Sequence, residues 1–219
     1  MKTRFHRQLD ELKMTILEMA SVTEKAMEKA LKAFRTRDAQ LAQQVIEGDQ
    51  EINQLEMAVD HLCLSLLALE QPVAKDLRFI IGSIRMSIDL ERIGDQAVNI
   101  AQRTKSLSAK PPLPPVPELD GLADTAMDML RVAISSFANR NISQAYDVCQ
   151  MDDEADELNV AVLKKMIDLM VTESRSIERA VQTIIVARCL ERVADQTTNI
   201  AESVIFMAEG VNIKHRCEP

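Results

Sequence analysis

Two acidic side chains four residues apart, Glu91 and Asp95, share one face of any helix that carries them, and Asn99 continues that face. Glu191, Asp195 and Asn199 repeat the arrangement at an offset of 100. Like charges at this spacing repel, and partial burial raises the cost unless something positive lies between them. Oxygen donors of this kind suit a hard cation such as Mg²⁺, Ca²⁺, Mn²⁺ or ferric iron, and carboxylates also take Zn²⁺. A single Glu-x-x-x-Asp is more often a solvated face, or half of a salt bridge to a neighbour such as Arg92 or Lys105. The repetition with Asn at the same offset keeps both readings open.

The surrounding pattern sharpens the question. Met86, Leu90, Ile93, Ala97 and Ile100 form one apolar seam. A second seam, roughly opposite, starts apolar at Ile84 and Ile88 and then places Glu91 and Asp95 before Val98. The counterpart segment has Val186, Leu190, Val193, Thr197 and Ile200 on the first seam, and Ile184, Arg188, Glu191, Asp195 and Thr198 on the second. The preceding helices supply further acids, Asp49, Glu51, Asp152, Asp153, Asp156 and Glu157, which would meet the stripes across a bundle or simply solvate a helix start.

Other chemistry is thinly represented. No phosphate-binding Gly-rich loop, GxSxG or HExxH occurs. His6, His61 and His215 do not form the Glu-x-x-His of ferritin-type di-iron sites. A carboxylate-metal oxidase or hydrolase is therefore the alternative to a binding and regulatory protein. His61, in an apolar stretch, is expected in the core or an interface. The twelve methionines are expected to pack. Arg78, Arg85, Arg92 and Arg103 are read as surface residues with some capacity for an anion.

The elements that must position these groups are helices. Ala, Leu, Met, Glu, Gln and Lys dominate, with five Gly and no Trp. Ser108 to Pro117 holds five prolines in seven positions and is expected to be an extended, semi-rigid spacer. It divides the chain into 1–107 and 118–219. Periodicity predicts a helix along Phe5 to Phe34 and a second one capped by Asp38 and broken at Gln71-Pro72. A third runs from about Asp76 to Lys105. Beyond the spacer, helices are expected at about Glu118–Ala138, Asn141–Val171 and Ser174–Gly210. Leu90 to Ala101 matches Leu190 to Ala201 at eight of twelve positions, an internal duplication. The fold class is thus all-α, two tandem antiparallel three-helix bundles.

The net charge of −8 disfavours nucleic acid as a partner. Met1 to Asp10 has no apolar core of a signal peptide, and the longest apolar run is too short to cross a bilayer. A cytoplasmic protein that reaches membranes only through partners is expected. Cys63, Cys149, Cys189 and Cys217 are expected to be reduced, mostly packed thiols.

Along essentially its whole length the sequence resembles the PhoU family. The resemblance rests on Gln71-Pro-Val-Ala-Lys-Asp-Leu-Arg78, Asp89-Leu-Glu-Arg-Ile-Gly-Asp95 with Asn99-Ile-Ala101, Leu190-Glu-Arg-Val-Ala-Asp195 with Asn199-Ile-Ala201, and Val45-Ile-Glu-Gly-Asp49. It implies metal binding through Glu91, Asp95, Glu191 and Asp195, with Asp49, Asp76, Asp152 and Asp156 at further acidic positions. It also implies a regulator that restrains the high-affinity phosphate transporter and its sensor kinase when phosphate is plentiful. The implied partners are the transporter's ATPase subunit and the sensor histidine kinase, and homodimers are common in the family. Asn53 stands where the family pattern has Asp, Cys189 replaces Asp89 in the second repeat, and the segment near Ser174–Arg179 lacks the Pro-Val-Ala-Lys-Asp-Leu-Arg run.

Overall fold

The computed structural model describes residues 4–211. These residues form α1 (Arg4–Thr36), α2 (Ala39–Glu70), α3 (Ala74–Ser108), α4 (Pro117–Asn139), α5 (Ile142–Thr172) and α6 (Ile177–Glu209). A short 3-10 turn, Ser174–Ser176, precedes α6.

Local chemistry sets the ends. The Asp38 carboxylate accepts from the Gln40 and Leu41 amides, both at 2.9 Å, and so caps α2. Asn141 accepts from the Gln144 amide at 3.4 Å at the start of α5. Pro117 opens α4 at a position where no amide hydrogen is needed. Gly210, at φ 79°, ends α6 in the left-handed region. Two helix starts differ from expectation. α3 begins at Ala74, directly after the Pro72-Val73 break, and α6 begins only at Ile177 because residues 174–176 wind more tightly.

In each half the helices run up, down and up. α1 packs on α2 and α3, and α2 on α3; α4, α5 and α6 repeat this. The halves meet along α3–α6 and, more narrowly, along α1–α4. Thus α2, α3, α6 and α5 make one layer in that order, α1 and α4 lie across its back, and its front faces solvent. The first seams are the core: Met86, Leu90, Ile93, Ala97 and Ile100, and Val186, Leu190, Val193, Thr197 and Ile200, are all fully buried. Side chains of both halves join one hydrophobic cluster. Arg131 pairs with Glu24 and Glu28, and Arg35 with Asp120 and Asp124, across α1 and α4. Exposed pairs like these add little energy each but hold register.

The proline segment is not a free spacer. The Arg37 guanidinium of α1 donates to the Leu107 and Lys110 carbonyls. Arg179 of α6 donates to the Pro111 and Pro112 carbonyls at 3.2 and 3.3 Å. Leu113 and Val116 pack against the core. The segment is a strap pinned to both halves, because its proline-freed carbonyls need donors and two arginines supply them.

Three further expectations change. His61 is exposed, since it lies on the outer face of α2. Most methionines pack, but Met14 and Met57 project into solvent at 63% and 65% exposure. Cys63 and Cys189 are buried free thiols, whereas Cys149 is disulfide-bonded. Tertiary approach sets such a pairing, so no CxxC spacing announces it. Cys217 and His215 lie outside the described residues. No described helix is long and apolar enough to cross a membrane.

Candidate functional site

The second seams of α3 and α6 face the open front of the layer. There Glu91 and Asp95 look toward α2, and Glu191 and Asp195 toward α5. Gly94 lets α2 come close: a Cβ at this position would lie 2.8 Å from Ile52 Cδ1 and 3.6 Å from an Asp49 carboxylate oxygen. Asp49, whose other oxygen accepts from Asn53 at 3.0 Å, is thereby held beside α3. The first-half group comprises Asp49, Glu56, Asp60, Glu91 and Asp95. Their charges act on one another: burial first, then Asp95, Glu56 and Asp49, raise Glu91 above the usual carboxylate range. Burial and Asp49 raise Asp95, and burial, Asp60 and Asp95 raise Glu56. Among the described residues, none of these five carboxylates forms a salt bridge.

The second-half group is Asp152, Asp156, Glu191 and Asp195. Burial, then Asp195 and Asp156, push Asp152 up to about 6, with a Thr198 hydrogen bond opposing. Asp195 is raised by burial, Glu191 and Asp156, against Arg188 and Arg192. One Glu191 oxygen accepts from Arg188 at 3.1 Å, and the other is buried without a hydrogen-bond partner.

Glu56 and Asp60 escaped the sequence reading. Their signal was present: 49, 53, 56 and 60 fall on one face of α2. At the matching positions of α5 stand Asp152, Asp156, Asn159 and Leu163. Acid spans the face in the first half, at Asp49, Glu56 and Asp60, and is confined to its start in the second, at Asp152 and Asp156.

Other candidates lie elsewhere. Asp76, in the first turn of α3, lines a cavity of about 300 Å³ with Lys13, Lys75, Phe79, Phe137 and Arg140. Asn99 donates to Gln96 at 3.5 Å, and Asn199 lines the α3–α6 groove with Arg85, Asp89 and Arg92. Arg85 lies over the Phe206 ring at 4.7 Å, and Arg103 donates to Gln182 at 3.2 Å. Glu51, Asp153 and Glu157 are exposed.

The donor chemistry fits a hard cation: oxygen ligands, mutual repulsion and one orphaned carboxylate oxygen. Among the described residues no three acidic, histidine or cysteine side chains converge as a closed ligand set, so the carboxylates form open faces rather than cages. Repulsion also carries a pH signature. A folded-state pKa above the unfolded value contributes stability below the unfolded pKa and loses it as pH rises through the folded one. For Asp152 that window runs from 3.8 to about 6. Chelator-treated protein is expected to melt higher at about pH 5.5 than at about pH 7.5. Calorimetry showing the reverse order would overturn the assignment of these carboxylates as mutually destabilising.

The described residues thus form paired three-helix bundles with an open acidic face on each half. The PhoU domain model matches residues 16–104 and 119–204. The chain belongs to the PhoU family. The phosphate-specific transport system accessory protein PhoU homolog of Pseudomonas putida is 37% identical over 97% of this chain and 83% of its own length. The homolog from Aquifex aeolicus is 35% identical over 97% and 96%. Among solved structures, PhoU from Pseudomonas aeruginosa superposes with a TM-score of 0.92 at 35% identity, covering 95% of this chain and 100% of that one. The phosphate transport system regulatory protein PhoU from Streptococcus pneumoniae gives 0.89 at 31%, covering 95% and 99%.

Proposed function

We propose that this protein is a regulator of phosphate uptake and not an enzyme. In this reading it works in the cytoplasm and restrains a high-affinity phosphate ABC transporter through its ATPase subunit. It also holds the phosphate-sensing histidine kinase in its non-activating state when phosphate is plentiful. Full-length likeness to relatives named as accessory and regulatory proteins of phosphate transport carries this reading. The two open acidic faces support it, because they offer charge and surface rather than a reaction centre.

The oxygen donors of each face suit a divalent or ferric cation in type, although among the described residues no three of them converge on one point in this structure. Glu91 and Asp95 with Asp49, Glu56 and Asp60 would hold it on the first half, and Asp152, Asp156, Glu191 and Asp195 on the second. When bound, the ion supplies positive charge that cancels the carboxylate repulsion. The protein's own residues set the rest: Asn53 orients Asp49, Thr198 and Arg188 orient Asp152 and Glu191, and the α2–α3 and α5–α6 packing fixes the spacing of the faces.

The test is a phosphate-starvation reporter in a strain lacking the coding sequence, grown in high phosphate. Constitutive reporter activity, returned to low by the intact chain, is the expected result. A silent reporter with normal induction on starvation would overturn the regulatory reading.

A further inference from the structure

The acidic group of the second half continues, along the same α5–α6 groove, into an exposed apolar strip. On α5, Leu163, Ile167 and Val171 follow Asp152 and Asp156 at helical spacing. On α6, Ile177 and Val181 lie on the face that later carries Glu191 and Asp195. All five apolar side chains are exposed, Val171 at 82%. The antiparallel pairing of α5 and α6 places the five at one end of the groove and the four carboxylates further along it. Contiguous exposed aliphatic surface of this kind marks an interaction site.

We propose that this α5–α6 face is the docking site for a partner's amphipathic helix whose apolar stripe is followed, about two turns on, by a basic cluster. Charge complementarity selects this occupant. An apolar helix alone would leave the carboxylates, including the partnerless Glu191 oxygen, uncompensated. A second copy would bring more negative charge, since the chain carries −8. From Asp152 to Val171 the face spans roughly 30 Å, which matches a helix of about 20 residues. Partner residues at i, i+3 or i+4, and i+7 would lie over Leu163, Ile167 and Val171, as amphipathic helices do in grooves. The first half offers a shorter strip, because Asp60 stands where the second half has Leu163. The two faces therefore differ in the helices they accept. The proposal concerns the metal-free face, where the partner's basic cluster takes the place of a cation, and it does not depend on the phosphate reading.

The probe is a fluorescein-labelled amphipathic peptide of about 20 residues, with a leucine stripe followed by three lysines. It is titrated against the full chain in chelator and read by anisotropy, beside controls with glutamate for lysine and serine for leucine. We expect binding that Ile167→Glu weakens at least tenfold, and that Asp156→Asn with Asp195→Asn weakens several-fold while flattening the salt dependence. Leu64→Glu, on the first half, should change it less than twofold. Val171→Glu, at a more exposed position, serves if Ile167→Glu fails to fold. Equal binding by Ile167→Glu or Val171→Glu, or by the glutamate peptide, overturns the proposal. So does a dimer of the wild-type chain that either substitution turns into monomers by sedimentation, since a second copy would then cover the face.

Discussion

With Asp152 and Asp195 both replaced by asparagine, the second-half face is expected to bind Mn²⁺ at least ~100-fold more weakly, since even residues behind the ligands of a metal are worth 10–100-fold. The same variant, stripped of metal, should melt higher than the stripped parent at about pH 7.5 and converge with it only as pH falls below the unfolded value of 3.8. Both arms follow from the same geometry. In the folded chain Asp152 is pushed up to about 6, first by burial and then by Asp195 and Asp156. At neutral pH the ionised pair is thus less favourable in the folded state than in the unfolded one, and asparagine removes that charge at nearly constant shape. Below the unfolded pKa the carboxyls are protonated in both states, and the difference vanishes. A chain already carrying Glu91→Gln and Asp95→Asn lets the second face report alone. Binding is read by Mn²⁺ titration with paramagnetic resonance, and stability by calorimetry. Undiminished binding would remove these carboxylates from the ligand set. A stripped variant less stable than its parent at neutral pH would show that Asp152 and Asp195 support the fold.

Gly82→Val is expected to destabilise the chain by about 1–3 kcal/mol through overpacking. For a chain of this size that lowers the melting temperature by roughly 3–10 °C. Gly82 is buried where α3 crosses α6, and a Cβ there would come within 2.4 Å of Met207 Cγ and 2.7 Å of its sulfur. The substitution improves intrinsic helix propensity slightly, so the loss must come from the crossing itself. Met207→Ala in the same chain opens the space, and the double variant should be more stable than the sum of the two single effects. Additive losses would mean that the α3–α6 seam tolerates a side chain at this point. The counterpart position in α6 is Gln182, which accepts from Arg103 at 3.2 Å, so the duplicated seam is apolar and tight at one end and polar at the other.

These two predictions draw unequally on the sequence. The carboxylates were visible as a repeated stripe, and the apolar seam opposite them correctly identified the core from Met86 to Ile100 and from Val186 to Ile200. The Gly82 crossing was not visible, because a glycine in a helical pattern shows only that a side chain is missing, not what approaches in its place.

The sequence by itself determined the six helices, most of their ends, the duplication and the family. Those features depend on interactions within a few turns: Asp38 and Asn141 cap their own helices, Gly210 relieves its own φ, and 3.6-residue periodicity fixes which side chains share a face. Only the tertiary structure decided which faces meet. It brought Glu56 and Asp60 of α2 to Glu91 and Asp95, left Asp76 in a cavity among lysines, turned Asn99 and Asn199 to other neighbours, and bound the proline segment down with Arg37 and Arg179. Each outcome depends on the distance and register between two helices, and close approaches at residues such as Gly94 and Gly82 set these. A periodic pattern along one helix contains no term for that distance.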